Sequence, residues 1–154
     1  MKEKERILLK LRNMKKYVDF LKSQRKVNEE KLKKDYLLKS AIERNFHIAL
    51  ESVFDIGEMI ISIKEFRKPE DYKEVIEILG EEGILPKEFA ERFAPAAGFR
   101  NILVHRYAEV KLSQLYRHLQ EDLEDFDFFA KCIAEFAKKL DNPYPLGCSF
   151  YKKL

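Results

Sequence analysis

Within the nine residues Phe99 to Tyr107, the chain sets out an arginine (Arg100), an amide (Asn101), a histidine (His105) and a phenol (Tyr107). A guanidinium offers a planar fork that holds two phosphate oxygens and never loses its charge. An imidazole, with an ordinary pKa of about 6.5, takes or gives a proton near neutrality. With RNA as substrate, such a set suits attack of a ribose 2′-OH on the adjacent phosphorus. That step needs a proton removed and a crowded, negatively charged transition state stabilised. His105 fits the general acid or base and Arg100 the phosphate clamp. Asn101 fits orientation of His105 or of the substrate, and Tyr107 a hydrogen bond to phosphate. The step requires no metal. The sequence shows no obvious metal-ligand cluster, and Cys132 and Cys148 lack zinc spacing.

The spacing constrains how these groups meet. At about 100° per residue, the five-residue step from Arg100 to His105 turns them about 140° apart on one unbroken helix, while Asn101 and His105 share a face. Either the motif straddles a helix end, or two protomers place their motifs face to face at a twofold interface. We expect the second, because Phe99, Ile102, Leu103 and Val104 suit both a core and an interface.

The elements that must position the motif read as helices. Ile7, Leu11, Met14, Val18 and Leu21 draw one apolar stripe at alternating steps of four and three, and the polar stretch Ser23–Lys34 follows as a turn and the exposed opening of a helix. A long central helix is expected from about Tyr36 to Ile63, with Gly57 marking close approach of another helix. On it Glu51 and Asp55 lie four apart on one face, either as solvated acids or as groups that line the pocket and brace its cations. Pro69-Glu70-Asp71 starts a short helix that stops at Gly80 to Gly83, Pro86 starts another, and Pro95 kinks or restarts it before the motif. Ser113 reads as the cap of a last long helix reaching Leu140, and residues 141–154, rich in turn formers, read as a non-helical tail beyond a helical domain at 1–140. His47 and His118 stand singly on long helices and read as ordinary structural or surface residues.

Strand-like alternation is absent. The prediction is an all-α, antiparallel bundle of about five helices in one domain. Residues 1–34 carry 13 Lys and Arg against 5 Asp and Glu, a net of +8, and the remainder is net −5. The basic end suits RNA, an acidic partner, or a solvated helix face. No signal-peptide pattern and no membrane-length apolar run is present, and a cytoplasmic location is expected.

The residues Ala41-Ile42-Glu43-Arg44, Ala49 to Ile56, Pro69-Glu70-Asp71-Tyr72, Leu79 to Pro86 and above all Gly98 to His105 together resemble the HEPN superfamily, and within it the HepT-like toxins paired with a minimal nucleotidyltransferase (MNT) antitoxin. The resemblance covers roughly residues 5–140. It implies a homodimeric, metal-independent endoribonuclease, with Arg100 and His105 as the catalytic pair and no cofactor. It also implies that the antitoxin attaches AMP to Tyr107, placing negative charge beside Arg100 and blocking substrate. The position between His105 and Tyr107, often glycine in similar sequences, is Arg106 here. Two other readings stay open: a non-catalytic nucleotide-binding or regulatory subunit of a nucleotidyltransferase, and a helical scaffold in which the motif only packs.

Overall fold

A computed structural model describes residues 2–105 and 110–140. Arg106, Tyr107 and the segment 141–154 lie outside the described residues. Among the described residues the chain is all helical. Its order is α1 (Glu3–Ser23), α2 (Glu29–Lys34), α3 (Tyr36–Ile63), α4 (Tyr72–Glu81), α5 (Lys87–Phe93), α6 (Ala96–Val104), α7 (Leu112–Glu121) and α8 (Leu123–Leu140). None of these helices is long and apolar enough to cross a membrane.

The apolar stripe of α1 is buried at all five of its positions, Ile7, Leu11, Met14, Val18 and Leu21, where α1 packs on α3 and α8. The central helix runs over the residues that its periodicity indicates. Ile42, Phe46, Val53, Phe54, Ile56 and Ile60 are in the core, while Leu38, Ala41, Ile48 and Ile63 are half-buried. Each fully buried side chain of this size contributes about 1.5–3 kcal/mol.

The short helices owe their limits to caps. Asn28, Asp35 and Asp71 accept the backbone N–H three residues on, at 2.7, 3.0 and 2.8 Å, and so start α2, α3 and α4. Asp35 therefore ends α2 and opens α3 at once, and its carboxyl is held below the ordinary range first by the Leu38 N–H and then by Lys31. At the end of α4, Gly83 has φ +74° while Ile84 N–H returns to Leu79 O at 2.9 Å, a left-handed turn that glycine adopts without steric cost. Arg67 pins the connection before α4 through Glu74 and Glu81.

Two expectations are corrected. Ser113 does not cap the last helix: it lies inside the first turn of α7, whose N-cap position is Lys111. The earlier start lets Leu112 join Leu115 against the core. The expected single last helix is also interrupted at Asp122. Its N–H still bonds His118 O at 3.1 Å while its carboxylate turns back to His118 Nδ1 at 2.5 Å. Leu119 and Leu123 are both fully buried across the break, so the apolar spacing runs through it unchanged.

At Gly57 a Cβ would lie 2.5 Å from Cγ1 of Val75 on α4, so the close approach is real. Val75 is β-branched and buried and cannot easily swing away. Although alanine gains about 1 kcal/mol in helix propensity, overpacking costs about 1–3 kcal/mol. Gly57→Ala is therefore expected to lower the denaturation midpoint, and Gly57→Ala with Val75→Ala to recover part of the loss. An unchanged or raised midpoint in the single variant would show that the α3–α4 contact has slack.

Candidate functional site

The candidate site forms where α6 crosses α3. Pro95 breaks the chain before α6, and Phe99 then anchors the helix, its ring 5.4 Å edge-on from Phe46 of α3 and 4.3 Å from the imidazole of His118. With Phe99 turned inward, the next residue emerges beside the polar face of α3.

Arg100 is held there on three sides. Its Nε donates to Glu51 Oε1 at 2.6 Å, its Nη1 donates to Asn101 Oδ1 at 3.2 Å, and its guanidinium lies over the ring of Tyr72, 4.3 Å from the centroid. The side chain is 17% exposed. An arginine has five N–H donors, and Nη2 has no partner among the described residues. The held guanidinium thus keeps an outward edge of the two-pronged form that binds phosphate oxygens.

His105 is the C-cap of α6. Its N–H bonds Asn101 O at 3.1 Å, its ψ of 121° leaves the helix, and its side chain is exposed. Of the two geometries open to the motif, the chain itself adopts the helix end, which frees His105 from the 140° separation that an unbroken helix would impose. Tyr107 lies outside the described residues.

The acids on α3 divide. Glu51 braces Arg100, whereas Asp55 pairs with Lys10 of α1 at 3.7 Å. Residue spacing alone could not separate them, because both lie on one face. The residue that sequence reasoning passed over is His47. Its Nε2 lies 3.4 Å from the same Glu51 oxygen that Arg100 holds, and its Nδ1 lies 3.3 Å from Nη1 of Arg44. The signal was the i, i+4 step from His47 to Glu51. Because an arginine only donates, its contact fits Nδ1 as acceptor and Nε2 as the protonated nitrogen facing Glu51. His118 is a half-buried structural residue, its ring tilted against that of Phe99 and tied to Asp122.

A cavity of about 380 Å³ touches the site through Asn101 and Tyr72 and is otherwise lined by Glu58, Pro69, Glu70 and Asp71. A larger one, about 450 Å³, is walled by Phe46, Phe93, Phe99 and His118 and includes neither Arg100 nor His105. Among the described residues no group of three or more His, Cys, Asp or Glu is placed to hold a metal ion.

Partial burial, and then the Asp55 and Glu51 carboxylates, raise the Glu58 carboxyl above its ordinary range, with Arg100 opposing. A carboxyl raised in the folded state favours folding when protonated, and that contribution is lost as pH rises through the folded pKa. Glu58→Gln is therefore expected to raise the melting temperature modestly at pH 7. The difference from the parent should vanish below the ordinary glutamate range near pH 4. Equal melting temperatures at both pH values would remove the strain assigned to Glu58.

Comparison with known proteins bears on this arrangement. The model of the family described as ribonuclease HepT-like matches residues 11–133. A tRNA nuclease HepT of Aphanizomenon flos-aquae is 25% identical over 126 residues, covering 81% of this chain and 85% of that protein. An mRNA nuclease HepT of Shewanella oneidensis is 26% identical over 101 residues, 66% of this chain and 76% of that one. In three dimensions, the tri-AMPylated Shewanella oneidensis HEPN toxin solved in complex with its MNT antitoxin superposes with a TM-score of 0.76 at 23% identity, over 88% of this chain and 99% of that chain. The Bacillus subtilis protein YutE, described as a cytosolic protein of unknown function, superposes with a TM-score of 0.78 at 20% identity, over 92% and 94%. These superpositions show the shared all-helical fold, and the family model spans most of the sequence, including the whole of the Arg100–His105 motif. The chain is thus a ribonuclease of the HepT-like family.

Proposed function

We propose that the protein is the toxin of a HEPN/MNT toxin–antitoxin module, an endoribonuclease that cleaves RNA without a metal ion. The ribose 2′-oxygen attacks phosphorus, the bond to the 5′-oxygen breaks, and a 2′,3′-cyclic phosphate and a 5′-hydroxyl result. A base takes the 2′ proton and an acid delivers one to the departing oxygen. The observation that carries this reading is Arg100, fixed by Glu51 and Tyr72 with Nη2 unpaired among the described residues, next to a helix end at which His105 is exposed.

Arg100 binds the phosphate and the charge that develops on it. His105 transfers the proton, Asn101 holds the guanidinium from its flank, and Glu51 positions Arg100. Asp55 stands one turn further along α3, where its partner is Lys10 of α1 rather than Arg100. Two protomers related by a twofold axis place their motifs face to face, so that a single-histidine motif supplies both the base and the acid. The curated relatives named as nucleases and the neighbour solved with an MNT antitoxin support this reading.

Control by the partner follows from position. Tyr107 stands two residues beyond His105. AMP attached to its hydroxyl by the nucleotidyltransferase adds negative charge and bulk two residues from His105 in sequence, which opposes the binding of RNA phosphate and blocks substrate.

His105→Ala and Arg100→Ala are each expected to lower RNA cleavage by about a hundredfold or more, in the range that loss of an acid–base or oxyanion group carries. Growth inhibition should be lost while the oligomeric state is kept. Equal RNA degradation by parent and His105→Ala proteins would end the proposal. Intact-mass and peptide mass spectrometry of protein produced with its nucleotidyltransferase is expected to place added AMP on Tyr107, with cleavage lost in that sample. Modification elsewhere, or modified protein that still cleaves, would overturn the control mechanism and leave the ribonuclease.

A further inference from the structure

Charge along α3 is divided at Glu51. Taking Glu51 as origin, Arg44, Ser40 and Leu37 fall within about 40° of it on the same side of the helix, as do His47, Asp55 and Glu58. Toward the C-terminal end this side becomes acidic. Asp55, answered by Lys10 at 3.7 Å, and Glu58, with no ionic partner among the described residues, follow in turn, and Glu70 and Asp71 close the adjoining cavity.

Toward the N-terminal end it becomes basic and aromatic. Arg44 is exposed, and its only polar contact among the described residues is the ring nitrogen of His47. On the preceding helix α2, Lys33 has no ionic partner among the described residues, while the nearest acids, Glu43 and Asp35, are answered by Lys39 and Lys31. At this end Tyr36 and Leu37 are each 79% exposed, more than any other large apolar side chain among the described residues. The distance along the axis from Glu51 to Leu37 is about 21 Å, the reach of a few nucleotides.

A polyanion whose phosphate sits on Arg100 is repelled along one half of this face and attracted along the other. An exposed tyrosine beside unpaired cations is also what sequence-tolerant binding of single strands uses, with the ring stacking on a base and the cations following the backbone. We infer that the side of α3 between Glu51 and Tyr36 is the track for single-stranded RNA flanking the scissile phosphate, with Arg44 on a phosphate and Tyr36 stacked on an unpaired base. The inference rests on the RNA-cleaving reading of the Arg100–His105 site. It adds a direction of approach and a binding surface outside the motif.

The test is fluorescence anisotropy of a labelled, unstructured RNA of about 20 nucleotides, in the size range that single-strand binding sites occupy. It is measured on His105→Ala protein to prevent turnover, with sedimentation of each sample. Tyr36→Ala is expected to weaken binding by about tenfold, as loss of one stacked base does. Tyr36→Phe, which keeps the ring face, should stay near the parent. Arg44→Ala should reduce the slope of log K against log salt by about 0.7, the value of one phosphate contact on a single strand.

Parent-like affinity in both alanine variants, with tight binding by the parent, would overturn the track and leave the catalytic reading intact. A Tyr36→Ala protein that loses self-association while keeping its RNA affinity would overturn it in favour of a protein interface. A parent that binds no RNA, together with wild-type protein that cleaves none, would remove both the track and the function on which it rests.

Discussion

The site depends on one ion pair between two helices. Glu51 lies in the middle of α3 and Arg100 in the second turn of α6, so the 2.6 Å bond between them is a tertiary contact across 49 residues of sequence. At 17% and 30% side-chain exposure both partners are largely out of water. Such a pair contributes specificity of placement more than net stability, because desolvation offsets much of the attraction. The ring of Tyr72 adds a third surface. A guanidinium held by a carboxylate, an amide and an aromatic face has one arrangement to adopt, which is how a side chain with many rotamers becomes preorganised.

The aromatic core beneath α6 sets the height and tilt from which Arg100 works. The rings of Phe99, Phe126 and His118 each lie within about 6.5 Å of Phe46, joining α3, α6, α7 and α8 around one ring. His118 belongs to this cluster through its ring, tilted against Phe99, and its bond to Asp122 fixes the place where α7 gives way to α8. The separation of duties is clear: apolar rings fix the helices, and the polar side of α3 fixes the charges.

Much of this is legible in the residues themselves. The stripe of α1 and the whole span of α3 follow from apolar spacing, because in both helices burial is one-sided and uninterrupted by proline. Gly57 announces its contact with Val75 because glycine in a helix has few other reasons to be there. The motif alone is modest evidence, because arginine and histidine at that spacing also cap helices or tie them together; what makes it legible is the family resemblance that extends over the surrounding helices. What is hidden is the pairing of charges. Glu51 and Asp55 look alike in sequence and differ only in which cation the fold brings to each. His47 joins the site through a carboxylate whose other partner lies 49 residues away. The break at Asp122 is hidden for another reason: its local hydrogen bond to His118 competes with the helix while leaving the leucine register intact.

Because Arg100 is moored to α3 and His105 departs from the last turn of α6, the gap between the two groups is measured by how α6 rests on α3. Phe46 and Phe99 are the spacer in that gauge. A lineage that altered either ring would be altering the alignment of cation and imidazole without touching the motif. On the proposed ribonuclease reading, core and chemistry in this chain therefore have to drift in step, and two relatives with identical motifs but different rings at these positions would not be interchangeable catalysts.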